Sequence, residues 1–413
     1  MRQMLRSALC LALFGLSPLT ARAEFTVPGF ELVYTAPAGA GLEAPDLRSP
    51  SEVWSGMVDA ARSDIAIGAF YVNSRSGTAL DRVIGRLEAA GRRGVKIRFL
   101  MEEKGRFAAD EATIARLRAI PNLEFRFLDF GKLGGGIVHA KYLIVDKQVA
   151  YVGSQNFDWR SLEHIHETGL KITEPFIVSR LSAIFGLDWQ AQAAIASGRT
   201  VAPLNTTVKH ANLSGEAFLV ASPNAFNPPG VGDSETALPA LIGQARSEVR
   251  IQLLDYVPLA FGDGKRRAYY AVIDNAIRAA LARGVKVKLM VSDWNAVKPD
   301  IDYLKSLAVL PGMEVRIVTV PPVREGCIPF ARVIHSKTMT IDGKLAWIGT
   351  SNWSGGYMDT SRNLEVVVRN ASLAGRVAAL HEAAWSSLMA RPVRAGEEYA
   401  VPDKACLKTP PAR

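Results

Sequence analysis

His139-Ala-Lys141-Tyr-Leu-Ile-Val-Asp146, closed by Gly153-Ser154-Gln155-Asn156, returns 196 residues later as His335-Ser-Lys337-Thr-Met-Thr-Ile-Asp342, closed by Gly349-Thr350-Ser351-Asn352. Both copies have the form H-x-K-x4-D-x6-G-[ST]-x-N, with every defined position coinciding. At average residue usage, one chance match in a chain of this length has a probability on the order of 10⁻⁵. Two in one chain are not accident. A duplicated His/Lys/Asn set is what a symmetric phosphate-cleaving site needs.

The repeat extends beyond the motifs. Ala61-Arg-Ser-Asp-Ile-Ala-Ile67 parallels Ala245-Arg-Ser-Glu-Val-Arg-Ile251 at an offset of 184. Arg93-Gly-Val-Lys-Ile-Arg-Phe-Leu100 parallels Arg283-Gly-Val-Lys-Val-Lys-Leu-Met290 at an offset of 190. Offsets that grow slowly along the chain describe two related units, with small insertions in the second. In the first unit, helical spacing covers Trp54–Ala61, a short apolar strand Ile65–Val72, and an amphipathic helix Leu80–Arg92 that ends at Gly94. Val95–Met101 is a second strand, and Tyr142–Val145 and Ala150–Gly153 are two more around a turn at Asp146-Lys147. Such alternation predicts an α/β fold with helices on both sheet faces. The polar, aperiodic stretch after Gly198 is the linker. The expected division is therefore 24–197, a linker at 198–220, 221–395, and a loop-like tail at 396–413.

Residues 1–23 read as a secretory signal peptide: basic Arg2 and Arg6, apolar Ala8–Leu16, then Ala21-Arg-Ala23 as a small-x-small cleavage site. The apolar run is far shorter than the roughly 18–20 residues of a membrane span. The expected mature chain is exported, periplasmic or secreted. Without the three arginines of that segment, 46 basic side chains face 40 acidic ones. This modest excess is compatible with an anionic substrate and does not establish one. Cys327 and Cys406 remain, either as one disulfide tying the tail to the second half or as two separate thiols.

The motif residues suit phosphodiester cleavage without metal or other cofactor. A neutral histidine with a pKa near 6.5 attacks phosphorus, and a second protonates the leaving oxygen and then activates water. Lys141 and Lys337 supply positive charge to the non-bridging oxygens. Ser154, Asn156, Thr350 and Asn352 add neutral substrate-binding donors. On a strand, His139 and Lys141 share a face. Asp146 and Asp342 complete the catalytic pattern, although a position at the turn favours a structural role. One motif supplies one histidine, so the two halves are expected to meet at a shared cleft, as a pseudo-dimer within one chain.

With these residues in view, the chain resembles the phospholipase D superfamily. Gly153-Ser-Gln-Asn-Phe-Asp-Trp-Arg-Ser161, Ile328-Pro-Phe-Ala-Arg-Val-Ile-His335 and Gly349-Thr-Ser-Asn-Trp-Ser-Gly355 resemble one branch in particular. It holds the animal lysosomal five-prime exonucleases and the poxvirus envelope phospholipase-like proteins. The similarity runs from about Phe30 to about Trp385. The resemblance implies a bilobal fold of two pseudo-symmetric α/β/α sandwich halves, a covalent phosphohistidine, and no metal. It implies His139 as nucleophile, His335 as acid, and downstream glutamates that orient the histidines, for which Glu167 and Glu365 are the candidates. Animal members often carry an altered second motif. Asp342 keeps the full pattern here, as an active enzyme would.

Other signals have ordinary readings beside functional ones. His164-Ile-His166-Glu167 reads as an alternating strand before a metal site. His210 and His381 read as a surface and a helix histidine. Trp159, Trp353 and Tyr357 either stack a base, line a head-group pocket, or pack. Arg160 either touches phosphate or pairs with Asp158. Gly134-Gly-Gly136 reads as a flexible lead into the first motif, and Asn205-Thr-Thr and Asn212-Leu-Ser match a glycosylation pattern. Three functions follow: a nuclease on single-stranded nucleic acid, a phospholipase D with transient membrane-surface contact, or an inactive binding module.

Overall fold

The computed structural model describes residues 24–208, 210–260, 267–324 and 326–402. The signal-peptide segment and Cys406 lie outside them. Among the described residues no helix is long and apolar enough to cross a membrane.

Each half contributes one large mixed sheet. In the first, the central order is Phe30–Thr35, Glu167–Ile172, Val149–Gly153, Tyr142–Val145, Asp64–Ala69, Lys96–Glu102, Leu123–Leu128. In the second it is Ala217–Ser222, Asn363–Val368, Leu345–Gly349, Thr338–Ile341, Glu248–Gln252, Lys286–Ser292, Met313–Val318. The orders match position by position, and the three strands around each motif are displaced by the motif's own 196 residues. Strand Ala217–Ser222 begins inside the stretch expected to be a linker.

Helices Pro50–Ala60, Ala79–Arg92 and Glu111–Arg118 cover the outer face of the first sheet, and Ser234–Gln244, Ala271–Ala282 and Asp300–Ala308 that of the second. The inner faces share a single core. Ile144, Val152 and Leu170 pack there with Ala346, Ile348 and Leu364, together with the long helices Pro175–Ala196 and Ala371–Trp385. Burying both faces of a sheet explains the near-continuous apolar runs at Ile65–Ala69 and Val366–Val368. The halves are therefore layers of one body. The chain is bilobal by symmetry, with an apolar seam between the lobes.

Local chemistry fixes the ends. Helix Pro50–Ala60 starts four residues before the sequence expectation because Ser49 and Glu52 close a capping box and Pro50 occupies the first turn. The expected strand Ile65–Val72 breaks at Ala69, and Val72–Asn73 pairs instead with Phe157–Asp158. Gly134–Gly136 is a tight contact and not a flexible lead. A Cβ on Gly134 would lie 2.7 Å from the Thr360 carbonyl, and one on Gly136 2.3 Å from the Ser361 hydroxyl, both in the opposite half.

The motif aspartates hold turns. Asp146 (φ 52°) accepts the backbone N–H groups of Arg62, Ser63 and Asp64 at 2.8–2.9 Å, and Asp342 (φ 51°) those of Arg246, Ser247 and Glu248. Neither lines the chamber that holds the histidines. Their expected place in the catalytic set is corrected to a structural one: they pin the hairpin to the preceding helix–strand turn. Burial opposes ionisation of Asp146, but the backbone donors win and hold it at about 2. A depressed carboxylate stabilises the fold above its ordinary 3.8 and loses that contribution as pH falls toward 2. Asp146→Ala should lower unfolding free energy by about 1–3 kcal/mol in urea titration at neutral pH. The loss should shrink at low pH, with turnover of the folded fraction retained.

Candidate active site

The two motif segments reach one another because each is held by the other half. The His139 and Ala140 amides donate to the Arg362 carbonyl at 3.0 and 2.9 Å, and those of His335 and Ser336 to the His166 carbonyl at 2.8 and 3.0 Å. Arg362 and His166 stand 196 residues apart, as the motifs do. Each motif segment is thus held to the far lobe by an isolated parallel bridge, Val138 to Arg362 and Ile334 to His166. The regular strands start only at Tyr142 and Thr338, so His139-x-Lys141 and its counterpart lie just ahead of the strands expected to carry them.

The residue after each of those carbonyls grips the facing histidine. Glu167 Oε2 meets His335 Nδ1 at 2.8 Å. Asn363 Oδ1 meets His139 Nδ1 at 3.1 Å. This corrects the second orienting glutamate. Glu365 makes no contact with either motif histidine; its carboxylate accepts the hydroxyls of Ser234 and Ser351, and burial lifts it to about 7. The signal for Asn363 was present in the sequence, since Glu167 plus the motif offset of 196 lands on it. Preferring a like residue type at an offset of 198 concealed it.

The Asn363 amide has a fixed orientation. Its Nδ2 donates to the Tyr357 carbonyl at 2.8 Å, an oxygen that only accepts, so Oδ1 faces His139. Nδ1 of His139 therefore carries the proton, and Nε2 keeps its lone pair. Thr350 donates to the same Oδ1 at 3.0 Å, while Ser154 bridges to the Thr168 backbone and supports Glu167. Both were expected to bind substrate; the structure makes them props for the orienting groups. Asn156 and Asn352 do line the chamber, each with a buried Oδ1 that has no protein partner.

The chamber has a volume of about 430 Å³ and includes His139, His335, Asn156, Asn352, Phe70 and Tyr357 in its walls. Tyr357 meets the His139 ring edge-on at 4.8 Å between centroids. Lys141 and Lys337 are fully buried and donate to the carbonyls of His139 and His335. Burial lowers both; Lys337 comes down to about 7, and Lys141 well below its usual value, aided by repulsion from Lys337. Burial, then the lysine charges, push both histidines well below 6.5. Burial raises Glu167 to about 8, so the Glu167–His335 couple holds one proton near neutrality.

Several remaining signals are packing. Trp353 is buried against Trp347, and His381 stacks on Trp385 inside a helix. Arg160 is closed by Asp158 and by the Pro329 carbonyl, so it is not a phosphate ligand. His166 bonds Ser336 and Gln252, and Glu167 points to His335, so the His164-Ile-His166-Glu167 run converges on no ion. Asn205 spends its amide on the Asn224 and Asn227 carbonyls. Cys327 is disulfide-bonded, while the expected partner Cys406 lies outside the described residues.

Paired motif histidines gripped from opposite lobes of a duplicated α/β body define a phospholipase D-type phosphodiesterase site. Comparison with known proteins agrees. Residues 43–320 match the family described as PLD3/4, PLD-like domain. A probable phospholipase D of Caenorhabditis elegans, F09G2.8, is 32% identical over 369 residues, covering 82% of this chain and 66% of that one. The 5'-3' exonuclease PLD3 of Rattus norvegicus is 32% identical over 361 residues, 79% of this chain and 73% of its own. Phospholipase D Z of Dictyostelium discoideum is 30% identical over 374 residues, 84% and 86%. The phosphatidylserine synthase of Haemophilus influenzae Rd KW20 shares the fold, with a TM-score of 0.59 at 10% identity over 90% of this chain and 89% of that one. The chain belongs to the phospholipase D superfamily, in its PLD3/4 branch.

Two outcomes follow from the geometry. Asn363→Ala should lower kcat about ten- to a hundredfold by freeing the His139 ring, whereas Glu365→Gln should leave kcat near wild type in the same steady-state assay. An anion in the chamber, near the two buried lysines, favours their protonated forms, so binding takes up protons. Sulfate, which does not titrate in this range, should bind progressively more weakly above pH 7, by up to about tenfold per pH unit for each proton taken up. Calorimetry should show that slope reduced in Lys337→Met.

Proposed function

We propose that the protein hydrolyses phosphodiester bonds of single-stranded nucleic acid, from a chain end, through a phosphohistidine on His139. The observation that carries this reading is the unequal backing of the two histidines. Burial and the lysine charges keep His139 neutral, the Asn363 amide takes its Nδ1 proton and leaves Nε2 unprotonated, and a carboxyl group shares a proton with His335. Nε2 of His139 attacks phosphorus, the bond to the leaving oxygen breaks, and His335 gives that oxygen its proton. His335 then takes a proton from water; the hydroxide attacks phosphorus, the P–N bond breaks, and His139 is restored. The two buried lysines and the amides of Asn156 and Asn352 oppose charge that develops on the non-bridging oxygens. An exported protein, cleaved after Ala23, fits this activity; mass analysis of the secreted form should begin at Glu24.

Relatives named as 5'-3' exonucleases support the nucleic-acid reading, and a chamber with aromatic walls is suited to a base. A second reading has its own observation. Phe107 and Phe330 line the same chamber yet are 78% and 52% exposed, as residues that touch a lipid surface would be, and other relatives are named phospholipase D. One experiment separates the two. The purified protein is offered a five-prime-hydroxyl oligonucleotide and phosphatidylcholine vesicles, with and without chelator. Oligonucleotide cleavage that persists in chelator and disappears in His139→Ala is expected. Cleavage of vesicles alone overturns the substrate, and full activity in His139→Ala overturns the mechanism.

A further inference from the structure

Beside the catalytic chamber lies a second cavity of about 640 Å³, and Asn73 and Arg160 belong to the walls of both. Its floor carries Trp159, with the guanidinium carbon of Arg75 4.6 Å from the ring centroid. Arg75 is exposed, and no ion pair among the described residues engages its side chain. Of the neighbouring charged groups, one cation is paired and one carboxylate caps a helix. Arg160 is closed by Asp158, and Asp110 accepts the backbone and hydroxyl of Thr113 at a helix start. The Ser74 hydroxyl on the same wall is buried with no protein partner.

Stacking on an indole fixes the plane of a guanidinium while leaving its edge N–H donors free, the geometry that receives a phosphate in bidentate fashion. The cavity thus presents, next to the reacting centre, a guanidinium that no ion pair among the described residues engages. We propose that Arg75 on Trp159 is a second phosphate subsite, holding the phosphodiester adjacent to the one being cleaved. This rests on the nucleic-acid reading, because a phospholipid with one phosphodiester has nothing to place there. Trp159 thereby gains a role: it supports a phosphate ligand, and its face is not free to stack a base.

The test uses the mature protein and three substrates: an all-phosphate oligonucleotide, the same oligonucleotide with an uncharged methylphosphonate at the second linkage, and bis(p-nitrophenyl) phosphate. Wild type should show a KM about tenfold lower for the charged oligonucleotide, as expected for loss of a charge-assisted contact. Arg75→Gln should erase that difference while hydrolysing bis(p-nitrophenyl) phosphate at the wild-type rate. Loss of one phosphate contact should also lower the slope of log KM against log salt by about 0.7, and Arg75→Lys should restore part of both. If Arg75→Gln leaves the oligonucleotide KM and its salt slope unchanged, the subsite is wrong although the nuclease stands. If wild type cleaves vesicles and no oligonucleotide, the nuclease reading fails and the subsite fails with it.

Discussion

The site depends on a reciprocal clasp. The carbonyl of Arg362 receives the segment that carries His139, and the carbonyl of His166 receives the segment that carries His335. One residue further on, Asn363 and Glu167 take the two ring nitrogens. Neither half can place its own histidine, because the acceptor and the orienting group both come from the other. The Arg362 side chain reinforces this from behind. It is fully buried, paired with Asp188 of the first half at 2.9 Å, and also donates to the Ser222 and Phe226 carbonyls and to Asn227. A buried guanidinium left without Asp188 would be an uncompensated charge, costing about 3–5 kcal/mol. The same residue therefore locks the lobes and presents the backbone acceptor for His139.

Duplication made most of this legible from sequence. The periodic offsets map the second sheet onto the first strand by strand, and the motifs locate the paired histidines and lysines. What sequence reasoning missed concerns direction and not position. A hydroxyl beside a glycine looks like a site residue in a linear pattern, and only their position at a turn sets the motif aspartates apart. Asp146 and Asp342 turn to backbone amides, and Ser154 and Thr350 to the next strand. Those directions follow from which pleat face each residue occupies and from a close strand approach at Gly153, where a Cβ would lie 2.8 Å from the Gly169 Cα. Such contacts between distant segments leave no local periodicity.

Symmetry also explains why one orienting residue was misplaced. In an exact duplication Glu167 would have a glutamate at 363, and a carboxylate would back each histidine. The chain has asparagine there instead. A carboxylate favours a protonated ring, whereas a neutral amide accepts a proton from Nδ1 without holding a second one on Nε2. The difference at these two equivalent places backs the two histidines unequally, as the proposed division into a nucleophile and an acid requires. The fold is symmetric because the body is doubled, and the backing of the two histidines is unequal because this pair of positions differs.

The remaining question is why a stable protein keeps two lysines, two histidines and a glutamate together out of water. Burial opposes every one of their charged forms, and the lysines repel one another across the lobes. Burial favours the neutral lysines and a single proton within the Glu167–His335 couple. On the proposed mechanism, a phosphodiester in the chamber brings negative charge near the two buried lysines, and more develops as phosphorus is attacked. The lysines then recover their protons in a low-dielectric site, where each charge interacts more strongly than it would in water. On that mechanism the electrostatic tension among these buried groups is relieved most by the charge distribution of the reacting phosphate. That preference for the transition state over the empty or ground state is what catalysis requires.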